Sequence, residues 1–353
     1  MKLVLVAHTA DGTTFKVGSH HYARELAGLG HDVLHISTPH SRVLAALGRD
    51  QRAELAARGL HRDPAGVAHL VPTRLLPVRL NHRRLDLRRE IADAGFADAD
   101  WVIVDQPMMH RVLSAFQPST RVLYRPTDLY DSGAYVYGQA ILVDRADAVV
   151  ATSPPVLDDL HVLPEVPTLV LENGVELEPF LRAARASTER SGAVYIGALD
   201  HRFDWAALDA IGAALAPHGQ TVDVYGPASD APPLGPNVHL HGPVAYAEVP
   251  ALLSAARIGL MPFTPTDLNR GRSPMKLYEY LAAGVRVVGP DFIDRTTPEL
   301  SSRVHTYEDA TDIPHAVQAA LADTPDSLWA EALSQFDWRE KARRLEALLH
   351  DPS

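Results

Sequence analysis

Short runs rich in β-branched residues alternate with helix-length segments, and the alternation begins afresh halfway along the chain. A strand, a helix and another strand of the same direction form a crossover unit, and a series of such units builds a parallel sheet covered on both faces. The pattern predicts strands over residues 2–7, 32–36, 67–71, 101–105, 120–124, 147–152 and 168–171, with helices over 19–29, 41–58 and 154–161 among them. A second series predicts strands over 193–196, 221–225, 238–240, 258–261 and 286–289, and helices over 205–215 and 275–283. Beyond residue 304 the remainder reads as helical. The expectation is an α/β chain of two Rossmann-like, doubly wound domains facing a central cleft, with ligands at the carboxyl ends of the strands.

The break between the series falls near 174–192. Asn173-Gly174 marks a turn there, and residues 182–191 are polar and read as structureless by pattern. The first domain is expected over 1–175 and the second from 176.

A chain of 353 residues, 46% hydrophobic and 22% charged, has ample core for two domains. Its net charge of −11 argues against a nucleic-acid partner. Cysteine is absent, which excludes disulfides and thiolate-bound metals. The 18 histidines show no H-E-x-x-H or comparable ligand spacing, so no metal and no other cofactor is expected. No apolar run reaches the roughly 20 residues of a membrane span. The N-terminus opens directly on strand-like residues, too short and polar-flanked for a leader. A cytoplasmic protein is expected. Against this acidity, residues 74–89, from Arg74 to Arg89, are locally basic with interleaved leucines. A solvated helix flank explains that stretch, and so does peripheral contact with an anionic membrane surface.

Chemistry concentrates in the second series at Ser273-Pro-Met-Lys-Leu-Tyr-Glu-Tyr-Leu-Ala-Ala-Gly284. Ser273 suits a helix N-cap, Pro274 the first helical position and Gly284 a left-handed C-cap. Free amides at a helix N-terminus bind anions. Lys276 in the first turn opposes the helix dipole, and a bound phosphate would compensate it. Glu279, one turn on, can accept from ribose hydroxyls. An ordinary strand–helix unit with a solvated lysine fits the same residues.

In the first series, Gly18-Ser19 opens a helix carrying His20 and His21 after a long loop that lacks a dinucleotide fingerprint. Gly18 allows close backbone approach to a ligand, and either histidine can serve as a base or phosphate donor. Packing of one ring and solvation of the other is the alternative. Tyr124-Arg-Pro-Thr-Asp-Leu-Tyr-Asp131 follows the strand over 120–124 and opens at the cleft; Pro126 keeps it a loop. Asp128 and Asp131 stand there, Asp128 as a candidate base or merely as a helix cap. Asp98-Ala-Asp100 precedes its strand and should lie at the wrong end of the sheet for metal chemistry.

The segment 273–284 resembles the donor-binding signature of GT-B glycosyltransferases. Tyr195-Ile-Gly-Ala-Leu-Asp-His-Arg-Phe-Asp-Trp205 is similar to that fold's glycine turn, and Asn237-Val-His-Leu-His-Gly242 to its "NV-x-x-x-G" strand. Leu171-Glu-Asn-Gly-Val175 resembles the start of its interdomain linker. Phe336-Asp-Trp338 resembles the start of the helix that crosses back to the first domain. The Phe15-Lys-Val-Gly-Ser-His-His21 stretch and the Met275-Lys276 pair resemble the teichuronic-acid and xanthan glucuronosyltransferase type.

The resemblance implies an acceptor domain over 1–175, a nucleotide-sugar domain over 176–334, and a C-terminal helix over 335–353 packed on the first domain. It implies transfer of a sugar from a nucleoside diphosphate sugar, by preference a uridine diphosphate sugar, to a small-molecule or lipid-linked acceptor hydroxyl. Leu199 and Phe263 would line the base or ribose pocket. Lys276, the helix at Ser273 and the amides around Gly197 and Gly242 would meet the diphosphate. Asp128 would be the base, with His20 or His21 as the substitute. Many retaining enzymes of this fold carry two glutamates eight residues apart; Gly271 stands where the first would be, which points to inversion. Pro243 replaces the family's glutamate after Gly242. Two other readings fit the architecture: a nucleotide-sugar 2-epimerase, and a nucleotide-sugar-binding protein without turnover.

Overall fold

The computed structural model describes residues 1–13, 16–131, 133–186, 189–228, 231–293, 298–323 and 329–351. The chain forms two compact units, one of residues 1–172 with 338–353 and one of residues 173–337. The crossings fall at 172/173 and 337/338, against the expected 175/176 and 334/335.

The first unit holds β1 (Lys2–Ala7), β2 (Asp32–Ser37), β3 (His40–Ser41), β4 (His61–Arg62), β5 (Ala68–Leu70), β6 (Thr73–Arg74), β7 (Trp101–Val104), β8 (Arg121–Tyr124), β9 (Ala148–Ala151) and β10 (Thr168–Val170). Eight of them make one sheet in the order β10-β9-β8-β7-β1-β2-β5-β4, parallel except for β4 against β5. Helices cover it, so β1, β2, β7 and β9 are buried along nearly their whole length. That is why these strands are near-continuous runs of Val, Leu and Ile. β3 and β6 pair separately.

The helix Trp338–His350 belongs to this unit. The Trp101 indole N–H donates to the Leu349 carbonyl at 3.1 Å. Lys341 is buried, with its Nζ 2.9 Å from Glu172 Oε2.

The second unit holds β11 (Ser191–Ile196), β12 (Val222–Tyr225), β13 (Val238–Gly242), β14 (Ala256–Leu260), β15 (Arg286–Pro290) and β16 (Val304–Tyr307). Its sheet runs β13-β12-β11-β14-β15-β16, all parallel. Counted along the unit this is the order 3-2-1-4-5-6, and ligands of such sheets sit where the order reverses, here between β11 and β14.

Three expectations are corrected. Residues 41–58 form two short helices, Arg42–Ala46 and Ala53–Ala57. Gly48 at φ +68 ends the first one, and the Asp50 carboxylate between them accepts from the Ser41 N–H at 2.9 Å. Residues 182–191 are not structureless: a helix spans Leu177–Ala186 and β11 begins at Ser191. The tail past 304 opens with β16 before turning helical.

Candidate functional site

In the second unit, β11 ends at Ile196 and is followed by Gly197, where φ is +156. The following turn is fastened by an Arg202–Asp200 ion pair made through several guanidinium contacts. That pairing holds the Asp200 carboxyl down to about 2, against the opposing effect of its partial burial. The turn is tied to the segment after β14: Phe203 bridges Phe263, and Thr264 N–H and Asn269 Nδ2 donate to the Arg202 carbonyl at 3.0 and 3.1 Å. Gly226, after β12, backs the turn. A Cβ there would stand 2.0 Å from the Gly197 carbonyl oxygen and 3.4 Å from Leu199 Cγ.

Into this turn reaches Lys276, from the first turn of the helix Met275–Ala282. Its Nζ lies 3.4 Å from Tyr195 Oη, 4.8 Å from the Tyr195 ring centre and 5.4 Å from that of Phe263. A Cβ on Gly197 would fall 2.5 Å from the same nitrogen. Among the described residues no carboxylate lies within ion-pair distance of Lys276. Burial lowers its pKa to about 8; the positive charges of Arg272 and Arg202 act the same way, and Glu279 and Asp200 oppose them.

Glu279 is buried one turn further and accepts from the Tyr246 hydroxyl at 3.0 Å. Burial pushes its carboxyl above the usual range, while Tyr246 and Lys276 hold it down. Met275 is the first helical residue and partly exposed. Gly242 closes β13 at φ +79, with nothing within 4 Å of the point a Cβ would occupy, and stands two strands from β11.

Ser273 does not cap the helix. Pro274 takes the N-cap position and supplies no side-chain bond. The Ser273 hydroxyl instead accepts from the Asn173 N–H at 3.0 Å, and Asn173 Nδ2 donates to the Ser273 carbonyl at 2.7 Å. Gly284, at φ +72, ends the helix as the sequence led one to expect.

In the first unit, the sheet order reverses between β1 and β7, and the residues just past those strands meet. His8 follows β1. Gln106, past β7, brings its Nε2 within 2.6 Å of His8 Nδ1, while its Oε1 accepts from the Met108 N–H at 3.2 Å. With the amide held that way round, Nδ1 is an acceptor and the ring proton sits on Nε2. That nitrogen is 3.5 Å from Thr127 Oγ1, which donates to Asp128 Oδ2 at 3.2 Å. Burial lowers the His8 pKa, against the pull of Asp128 and Asp105. Beneath lies a buried ion pair in which Arg125 Nε and Nη2 donate to the two oxygens of Asp105 at 3.0 and 2.6 Å.

Asp128 is partly exposed and Asp131 exposed. Gly18 and His20 lie in the buried first turn of the helix Gly18–Gly28. His20 Nδ1 accepts from the Val17 N–H, and its Nε2 donates to the Thr9 carbonyl, both at 3.2 Å. Burial pushes its pKa down to about 4. His21 stacks on Trp338 with ring centres 4.8 Å apart and planes 4° from parallel. Phe15, of the stretch that carried the family resemblance, lies outside the described residues. Asp98 and Asp100 hold Lys2, through its ammonium and its N–H respectively, at the amino end of the sheet.

Sequence reasoning singled out Lys276 and Asp128 but passed over His8, Gln106, Arg202 and Arg272. His8 could have been found from its place immediately after the first strand. The arginines carry no local signal, because what matters is their convergence on Lys276.

Two doubly wound units with these strand orders are the α/β architecture of GT-B glycosyltransferases, and comparison with known proteins gives the same fold. Residues 202–347 match a family model described as glycosyl transferase-like. The chain is 27% identical over 210 residues to TuaH of Bacillus subtilis (strain 168), described as a teichuronic acid biosynthesis glycosyltransferase. That match covers 54% of this chain and 52% of the relative, so the chain spans about half the length of the curated relative it matches. Among solved structures, OtsA in its apo form aligns at 13% identity and TM-score 0.70 over 99% of both chains. The E. coli trehalose-6-phosphate protein bound to UDP-2-fluoro glucose aligns at 12% identity and TM-score 0.69, again over 99% of both. No helix among the described residues is long and apolar enough to cross a membrane.

Proposed function

We propose that this chain is a glycosyltransferase that moves a sugar from a uridine diphosphate sugar to an acceptor hydroxyl, with inversion and without a metal. The observation that carries the reading is Lys276: a partly buried ammonium with no carboxylate partner among the described residues, at the reversal point of a Rossmann-type sheet. A cation so placed is costly unless an anion arrives. The resemblance to glycosyltransferases makes a donor diphosphate the fitting anion.

In this reading the diphosphate is met by Lys276, Arg272 and Arg202 and by the amide of Met275, while the Gly197 N–H stays with the Tyr225 carbonyl at 2.9 Å. Phe263 and Leu199 face the nucleoside, and Glu279 the ribose. Fixed positive groups stabilise the charge that develops as the bond from the anomeric carbon to the phosphate oxygen breaks. Asp128 takes the proton of the acceptor hydroxyl as the new bond to the anomeric carbon forms. His20 and His21 have other work: backbone contacts occupy both nitrogens of His20, and His21 packs the C-terminal helix.

The test is calorimetry with uridine, guanosine and thymidine diphosphate sugars, followed by turnover with acceptors in the presence of excess chelator. Uridine diphosphate sugar should bind and be transferred under chelation. Failure of all donors to bind would overturn the reading. Activity that needs added magnesium or manganese would overturn its metal-free part. Acceptor-independent conversion of the donor would make the protein an epimerase.

A further inference from the structure

We propose that the first unit carries a docking surface for an anionic phospholipid bilayer, built jointly by residues 42–49 and 74–84. Pairing of β3 with β6, His40 with Thr73 and Ser41 with Arg74, brings these two distant segments side by side. The Val43 N–H and the Ser41 hydroxyl both donate to the Leu75 carbonyl, at 3.1 and 3.3 Å. On the platform so joined, Leu47, Leu75 and Leu80 are 63%, 66% and 67% exposed, and Val43 and Leu76 are exposed beside them. Val43 and Leu47 are four residues apart, one helical turn, and so share a face. Single exposed leucines are ordinary; five large aliphatic side chains on one joined platform mark an interaction surface.

Charge decides the occupant. Residues 42–49 and 74–89 hold eight arginines and one acid, Asp86, within a chain of net charge −11. Arg42, Arg49, Arg79 and Arg84 are exposed and have no side-chain ion pair among the described residues. Two copies of so basic a patch repel each other, which disfavours self-association. An anionic lipid surface satisfies both features: leucines enter the boundary between headgroups and acyl chains, and arginine heads stay with the phosphates. Both segments also leave the sheet at the carboxyl ends of β2 and β5, the edge on which His8 and Asp128 stand. If the glycosyltransferase reading holds, the acceptor is then a hydroxyl presented at a headgroup layer.

The experiment is flotation of the full chain with vesicles of phosphatidylcholine alone and of phosphatidylcholine with phosphatidylglycerol. The chain should float with the anionic vesicles at least about tenfold better than with the neutral ones, and less well in high salt. Leu47→Ser/Leu75→Ser/Leu80→Ser and Arg79→Glu/Arg84→Glu should each reduce flotation by at least about tenfold. All five side chains are exposed, so unchanged thermal melts will show that the fold is intact. No flotation of the parent chain, or a leucine variant that floats as well as the parent, overturns the proposal. So does a parent chain that self-associates through these leucines. Flotation needs no donor, and transfer to a soluble acceptor tests the glycosyltransferase reading alone, so the two can fail separately.

Discussion

A Cβ placed on Gly226 would stand 2.0 Å from the carbonyl oxygen of Gly197. Backbone atoms of two neighbouring strand ends are thus in direct contact, and the turn that receives Lys276 has no room to retreat. Gly226→Ala should cost about 1–3 kcal/mol of stability, the range for an overpacked interior. It should also weaken nucleoside diphosphate binding at least about tenfold by moving Gly197. Urea unfolding and calorimetry on the same preparation would check both. Unchanged donor affinity would separate the turn from the site.

Lys276 gives a prediction in pH. With its pKa at about 8 in the free protein, the ammonium is present below pH 8 and lost above it. A bound diphosphate would raise that pKa, so affinity should be full below about pH 7 and fall as pH rises through 8. Lys276→Ala should remove about 1–3 kcal/mol of binding, as for a charge-assisted hydrogen bond, and with it the pH dependence. Lys276→Arg should restore charge without restoring the decline above pH 8. Isothermal calorimetry across pH 6.5–9.5 reads all three chains.

Asp128→Asn should lower kcat at least about 100-fold with donor affinity nearly unchanged, as for loss of a general base. Asp131→Asn, at an exposed position, should do much less. Product configuration read by NMR is an independent check: retention would exclude Asp128 as the base of a single displacement.

Acid should destabilise the first unit through its buried histidines. His35 is buried with its Nε2 3.2 Å from Ser19 Oγ, and burial holds its pKa well below the usual value; His20, 4.9 Å away between ring centres, sits at about 4. Both are neutral in the fold, so below about pH 6.5 the unfolded chain binds protons that the folded chain refuses. Stability is therefore full above pH 6.5 and falls toward pH 4. For His20 the loss at pH 5 is about 2 kcal/mol. Urea unfolding at pH 7.5 and pH 5 should show it, and a His20→Gln chain should lose less over the same interval.

Most strands were legible because a buried parallel strand must be almost wholly apolar, as in Trp101-Val-Ile-Val104. β16 was not, since Val304-His-Thr-Tyr307 is an edge strand with His305 partly exposed and Thr306 exposed. Residues 41–58 read as one helix because Gly48 and Asp50 break it only through a backbone turn and a contact back to Ser41. Lys276 was legible from its awkward place in a helix's first turn. Ser273 misled, because Ser-Pro before a helix reads as a cap while its hydroxyl was committed to Asn173, 100 positions away. His8 with Gln106, and Lys276 with Arg272 and Arg202, come together only when the sheets form.

The Val175 N–H donates to the Phe336 carbonyl at 2.8 Å, so the second unit begins and ends at neighbouring points. Along the chain it is an insert: a complete sheet set within a host unit whose own chain resumes at Trp338. An inserted module with adjoining ends can be exchanged for another of the same span without re-routing the host. Residues 173–337 are therefore the natural cassette for grafting, and the ends at which to cut are set by that one backbone hydrogen bond.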